Sequence, residues 1–144
     1  MLKEYKIFYN MILQEIFEVA SDKGLKFPDV IAQLGAAQSC LETGYGCHHP
    51  GNNYFGIKGT GNINETKEFI DGKWITITAA FQGYANMNDS ALGYIEFLIK
   101  NPRYNSVLNA ANIDTAIAAI GKSGYATDPH YTTKLYQIHN SATV

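Results

Sequence analysis

Ala37-Gln38-Ser39-Cys40-Leu41-Glu42-Thr43-Gly44-Tyr45-Gly46 is the stretch on which the reading of this chain turns. It closes an apolar stripe of Ile31, Leu34, Gln38, Leu41 and Tyr45, which begins after Phe27-Pro28-Asp29 with proline in a first helical turn. No amide donor is needed there, so this proline opens a helix rather than breaking one. Gly44 stands where a left-handed cap stops such a helix. Glu42 therefore falls in the last turn, facing the negative end of the macrodipole, and its pKa is expected to rise. Shielding by Leu41 and Tyr45 would favour the protonated form further, the state a general acid needs near neutral pH. A solvated surface glutamate has the same spacing, so position alone leaves both readings open.

Upstream, Tyr5, Phe8, Ile12, Ile16 and Val19 recur at helical spacing until Lys23-Gly24. Downstream, residues 46–65 are rich in Gly, Asn and His and read as an irregular loop anchored by Tyr54-Phe55 and Ile57. Asp71-Gly72 is a hairpin turn between Thr66–Ile70 and Lys73–Phe81, with Ile75, Ile77, Ala79 and Phe81 alternating on the second strand. Three helices follow. Asn88-Asp89-Ser90 is the cap cluster for Ala91, Tyr94, Ile95 and Leu98, up to Pro102 and a short turn over Tyr104–Leu108. Asn112 or Asp114 caps the helix of Ile113, Ile117 and Ile120, and Asp128-Pro129 starts the last one, with Tyr131, Leu135 and Ile138. The expected fold is α+β and mainly helical: one two-lobed domain over residues 1–144, with a small β-hairpin lobe at about residues 60–84.

The bulk properties exclude several classes. A chain of 144 residues buries about 68–70% of its unfolded surface and needs no covalent staple. A net charge of −2 without a basic block implies no nucleic-acid partner, and no apolar run approaches the roughly 20 residues of a membrane span. Ten Tyr, seven Phe and one Trp supply flat amphipathic rings suited to sugar faces as well as to cores. Cys40 reads as a small core residue, whereas Cys47, His48 and His49 fall in the loop. The adjacent histidines suit one metal poorly, and no C-x-x-C or H-E-x-x-H completes a site. No metal and no cofactor are expected, and His130 and His139 read as polar-face residues of the last helix. The start, Met1-Leu2-Lys3-Glu4-Tyr5, lacks a secretory pattern.

The helix end, together with Asn52-Asn53-Tyr54-Phe55-Gly56-Ile57-Lys58-Gly59, resembles the glucosaminidases of glycoside hydrolase family 73, within the lysozyme-like superfamily. Family members carry A-Q-x-x-L-E-[ST]-G-[WY]-G and N-N-x-F-G-I-K. The likeness continues through Thr66-Lys67-Glu68-Phe69, Asn101-Pro102-Arg103-Tyr104 and Gly124-Tyr125-Ala126-Thr127-Asp128-Pro129 with Tyr131. Five pieces in the family's order make a specific signal. Phe81-Gln82-Gly83-Tyr84 departs from the family's Phe-Arg-x-Tyr, and Gly93 stands where an Asp is common.

The resemblance implies hydrolysis of the β-1,4 bond after N-acetylglucosamine in peptidoglycan, with Glu42 as catalytic acid. Glu68 is implied as the second carboxyl, with Glu65 as fallback. The substrate's own acetamido oxygen is the other candidate for that role. Tyr125 either supports the reacting group through its hydroxyl or is a packed core tyrosine. Tyr45 either forms a sugar platform or staples the helix end. Asn53, Phe55 and Lys58, with Gly56, are expected to shape the cleft, and Tyr104 to contact substrate. Muramidase or lytic transglycosylase chemistry, a wall-binding module without activity, and a cysteine amidase are the competing readings. The wall lies outside the cytoplasm, so delivery as a phage lysin, export by another route, or origin as one domain of a larger lysin is expected. Such a protein would otherwise be a monomer.

Overall fold

Small side chains let the second helix run through the middle of the molecule. In the computed structural model, which describes all 144 residues, α1 spans Lys3–Asp22 and α2 spans Pro28–Thr43. The expected stripe on α2 is too narrow. Val30, Ala32, Ala36, Ala37, Ser39 and Cys40 are buried along with Ile31, Leu34 and Gln38, so α2 is covered on nearly every side. A helix of this kind belongs in an interior, and Ala, Gly and Ser let its neighbours come close. At Gly35 an added Cβ would lie 2.7 Å from Ile16 of α1 and 2.9 Å from the Tyr94 ring.

Two strands follow, β1 over Gly61–Ile70 and β2 over Lys73–Gln82, antiparallel with Ile70 opposite Lys73. Asp71 (φ 52°) and Gly72 (φ 76°) both take the left-handed conformation that a two-residue hairpin turn demands. Residues 61–65, expected in the loop, belong instead to β1. Their Gly and Asn content conceals an alternation in which Asn62, Asn64, Thr66 and Glu68 are half-buried while Ile63, Glu65 and Lys67 are exposed.

The helical lobe is completed by α3 (Met87–Lys100), α4 (Asn105–Leu108), α5 (Ile113–Lys122) and α6 (Tyr131–Ala142). The cap of α3 is Asn86, whose side chain accepts from the Asp89 amide at 2.8 Å, and not the Asn88-Asp89-Ser90 cluster. Ser90 is buried and accepts from the Tyr54 amide at 3.0 Å, tying α3 to the loop. Asn112 caps α5 through the Thr115 amide. Helix α6 begins at Tyr131, after Asp128 has accepted from the His130 amide at 2.8 Å. One apolar core joins α1, α2, α3, α5 and α6. No helix is long and apolar enough to cross a membrane.

A lone hairpin is marginal in water, and here the loop of residues 51–59 holds its base. The Gly59 amide donates to Ala80, the Gln82 amide donates to Ile57, each at 3.0 Å, and the Tyr84 amide donates to Gly51 at 2.8 Å. Asn53, nearly buried, is the strut. Its Nδ2 donates to the Ile57 carbonyl at 2.8 Å and the Gln82 carbonyl at 3.0 Å, while its Oδ1 accepts from the amides of Phe55 and Ile57. Asn53→Ala strips the Phe55 and Ile57 amides of this partner, while the Ile57 carbonyl keeps the Gln82 amide, and is expected to cost about 2–4 kcal/mol, read as a fall in the urea midpoint at unchanged slope.

Candidate active site

The end of α2 delivers Glu42 into a groove between the helical lobe and the hairpin. Gly44 (φ 56°) stops the helix, and the Tyr45 amide donates back to the Cys40 carbonyl at 2.9 Å. Thr43 fixes the turn, donating to the Ser39 carbonyl and accepting from the Gly46 amide, both at 2.7 Å. The groove has a volume of about 420 Å³, and a smaller cavity of about 130 Å³ continues it on the other side of Glu42. Glu42, Gly56, Thr66 and Phe81 line both, so the Glu42 side chain borders the two cavities together.

Glu42 keeps a water-accessible face toward these cavities, yet protein atoms crowd its carboxyl from the other sides. Gly56 (φ 69°) approaches so closely that a Cβ there would lie 2.6 Å from Glu42 Oε2. Solvation of a charge depends on several layers of neighbours, and the crowded layers decide the direction here. Burial, with the charge of Glu68 adding to it, pushes the Glu42 carboxyl up to about 7. The crowding comes from the Gly56 loop and the groove walls. It does not come from Tyr45, whose ring turns away to stack on Tyr5 at 4.0 Å. Tyr45 thus staples the helix end and lines neither cavity.

The period of β1 turns Glu68, with Thr66 and Asn64, to the half-buried face, while Glu65 is exposed and borders the smaller cavity. Both oxygens of Glu68 are engaged. Lys58 Nζ lies 3.2 Å from Oε1, and the Thr127 hydroxyl donates to Oε2 at 2.7 Å. The same hydroxyl oxygen accepts from the Phe69 amide at 2.9 Å, so Thr127 latches the free end of the hairpin to the helical lobe.

Tyr125 and Tyr104 both line the groove. The Tyr125 hydroxyl donates to the Phe55 carbonyl at 2.7 Å, which holds the backbone just before Gly56, and burial raises its pKa far above the ordinary value. Tyr104 is buried, and its hydroxyl has no hydrogen-bond partner. Phe55 is fully buried against the Tyr94 ring at 4.3 Å, so it anchors the loop from below and does not face the groove. Asn53 borders the smaller cavity while serving as the strut described above.

Sequence reading assigned no role to several groove residues, among them Tyr131, Thr127, Arg103 and Trp74. Tyr131 lines the groove and accepts from Gln38 Nε2 at 2.9 Å; Gln38 in turn accepts from the Tyr94 hydroxyl. Gln38 lies one turn before Glu42, a spacing that signals a shared face. Arg103 and Thr127 fall within the motif pieces that carry the resemblance, whereas Trp74 has no such local signal. No group of His, Cys, Asp or Glu side chains converges to hold a metal ion; Cys40 is buried, Cys47 is exposed, and both are free thiols.

The sequence profile described as mannosyl-glycoprotein endo-beta-N-acetylglucosaminidase, the glucosaminidase family, matches residues 21–143. The chain belongs to this family of glycoside hydrolases. The peptidoglycan hydrolase FlgJ of Vibrio parahaemolyticus is 37% identical over 131 residues, which is 82% of this chain and 42% of that protein. The exo-glucosaminidase LytG of Bacillus subtilis is 33% identical over 121 residues, covering 76% of this chain and 43% of its own length. The chain thus spans under half the length of these curated relatives. A C-terminally truncated glycoside hydrolase domain of Salmonella typhimurium FlgJ superposes with a TM-score of 0.72 at 28% identity, over 96% of this chain and 97% of that one. The mainly helical, lysozyme-like glucosaminidase fold expected from the motifs is the fold observed.

Two outcomes follow for this glucosaminidase. With the Glu42 carboxyl raised in the folded state, the unfolded chain binds fewer protons between the ordinary carboxylate range and about 7, and stability falls as pH rises through that window. Glu42→Gln should therefore melt above wild type near about pH 8 and together with it near about pH 4; parallel melting curves would refute the raised value. Thr127→Val removes the latch at constant volume. Faster hydrogen exchange at the Phe69 amide is expected, with turnover reduced by roughly ten- to a hundredfold through misplacement of Glu68.

Proposed function

We propose that this chain hydrolyses the β-1,4 bond after N-acetylglucosamine in peptidoglycan glycan strands, with Glu42 as the general acid. The carrying observation is the Glu42 carboxyl standing between two cavities, with Gly56 crowded against Oε2 on one side and Glu68 on the hairpin wall, and burial pushing it up to about 7. That placement leaves room for sugars before and after the scissile bond, and so suits cleavage within a strand. Below about pH 7 the acid retains the proton that the leaving oxygen requires. Protonation of that oxygen by Glu42 accompanies breakage of its bond to C1, and a water oxygen then bonds to C1. Glu68 receives the water's proton, or positions the substrate's acetamido oxygen when that group attacks first. Lys58 and Thr127 hold Glu68 at the facing wall, and each of its oxygens keeps a lone pair for this work. Tyr125 keeps the Gly56 loop against Glu42. The bacterial cell wall is then the site of action, in line with the FlgJ relative's name.

Digestion of purified walls followed by mass spectrometry tests this reading. New reducing ends should be N-acetylglucosamine, and Glu42→Gln should lower their release by about 10²–10⁴-fold. Reducing muramic acid or 1,6-anhydro ends would replace the proposed specificity with one of its competitors. The activity of wild type should fall as pH rises through about 7. In Glu68→Gln, which removes the secondary cause of the Glu42 shift, residual activity should fall at lower pH.

A further inference from the structure

The charges along the groove do not cancel. Lys58 pairs with Glu68, and Asp128 pairs with Lys134. Among the remaining charged groups that line the main cavity, Arg103 and Lys67 are cations that form no ion pair, and the only other is Glu42. A chain with a net charge of −2 thus leaves two unpaired cations at the border of its main cavity, of which Lys67 stands on the outward face of β1. Arg103 is also oriented. Its guanidinium carbon lies 4.8 Å from the Tyr104 ring centroid, and Nη1 would stand 3.7 Å from a Cβ placed on Gly124. Stacked in this way, a planar fork loses little freedom on binding and presents paired N–H groups that match a carboxylate.

We propose that Arg103 forms a carboxylate-binding subsite that takes the acidic substituent of a muramoyl residue. This rests on the reading of the chain as a peptidoglycan glucosaminidase: a bond cut after N-acetylglucosamine always has a muramoyl sugar on its far side. That sugar bears a lactyl group, which either ends in a free carboxylate or continues as a stem peptide with carboxylates of its own. Chitin has neither. The subsite therefore separates wall glycan from uncharged polymers of N-acetylglucosamine.

Calorimetric binding in a Glu42→Gln background, where ligands stay intact, tests this with three tetrasaccharides. One carries stem peptides, one has had them removed to leave lactyl carboxylates, and the third is the neutral N-acetylglucosamine tetramer. Without Arg103→Gln, the charged ligands should bind about tenfold or more tightly than the neutral one, with the advantage shrinking as salt rises. Adding Arg103→Gln should erase that advantage and leave the neutral tetramer's affinity unchanged, which also reports an intact fold. Arg103→Lys should recover only part of it. A loss confined to the peptide-bearing ligand assigns the stem carboxylate, and a loss confined to the stripped ligand assigns the lactyl group. Equal losses on all three ligands, or no preference before the substitution, would overturn the proposal. Wall cleavage that survives Glu42→Gln would instead defeat the catalytic reading, and the selectivity would then be measured on the same ligands with thioglycosidic bonds that resist hydrolysis, so the two fail separately.

Discussion

Everything at the site depends on one constraint: the helix that ends at Glu42 is itself the interior of the protein. Because α2 is packed by α1, α3, α5 and α6 along nearly its whole length, its last turn cannot shift without disturbing the core. A carboxyl mounted on that turn is as well positioned as the core is. The raised proton affinity has a separate origin: the Gly56 loop and the groove walls close on the carboxyl that α2 holds in place, and the charge of Glu68 adds to their effect.

The opposing wall is built on another principle. A two-stranded sheet has no core of its own, and the hairpin borrows order from the loop beneath it and from the loop before α6. Asn53 replaces the missing third strand at the base, and Thr127 restrains the free end. The core-packed lobe therefore holds Glu42, and the hairpin, tied down by its neighbours, holds Glu68.

Local chemistry made much of this legible. Pro28 and Gly44 bracket α2, Asp71-Gly72 sets the hairpin turn, and Asn112 caps α5. Each acts through the backbone within a few residues, where sequence and structure are directly coupled. The beginning of β1 was not legible, because Gly61, Asn62 and Asn64 have low strand propensity and are held there by pairing with β2. Asn86 caps α3, while Asn88 and Ser90 reach partners elsewhere in the chain, Glu15 and the Tyr54 amide. Tyr45 was ambiguous for the same reason: only the packing of α1 against α2 shows its ring committed to Tyr5.

By itself, then, the sequence determined the helix-and-hairpin order, the family, and the placement of one glutamate at a helix terminus, since those follow from spacing and from short motifs. Only the tertiary structure decided which groups face that glutamate. Gly56 against its oxygens, Thr127 and Lys58 on Glu68, Gln38 beneath Tyr131, and Arg103 unpaired along the wall are contacts mostly between residues distant in the chain. Charge, burial and hydrogen-bond supply at a site are sums over such neighbours, and a linear pattern does not contain them until the core has brought them together.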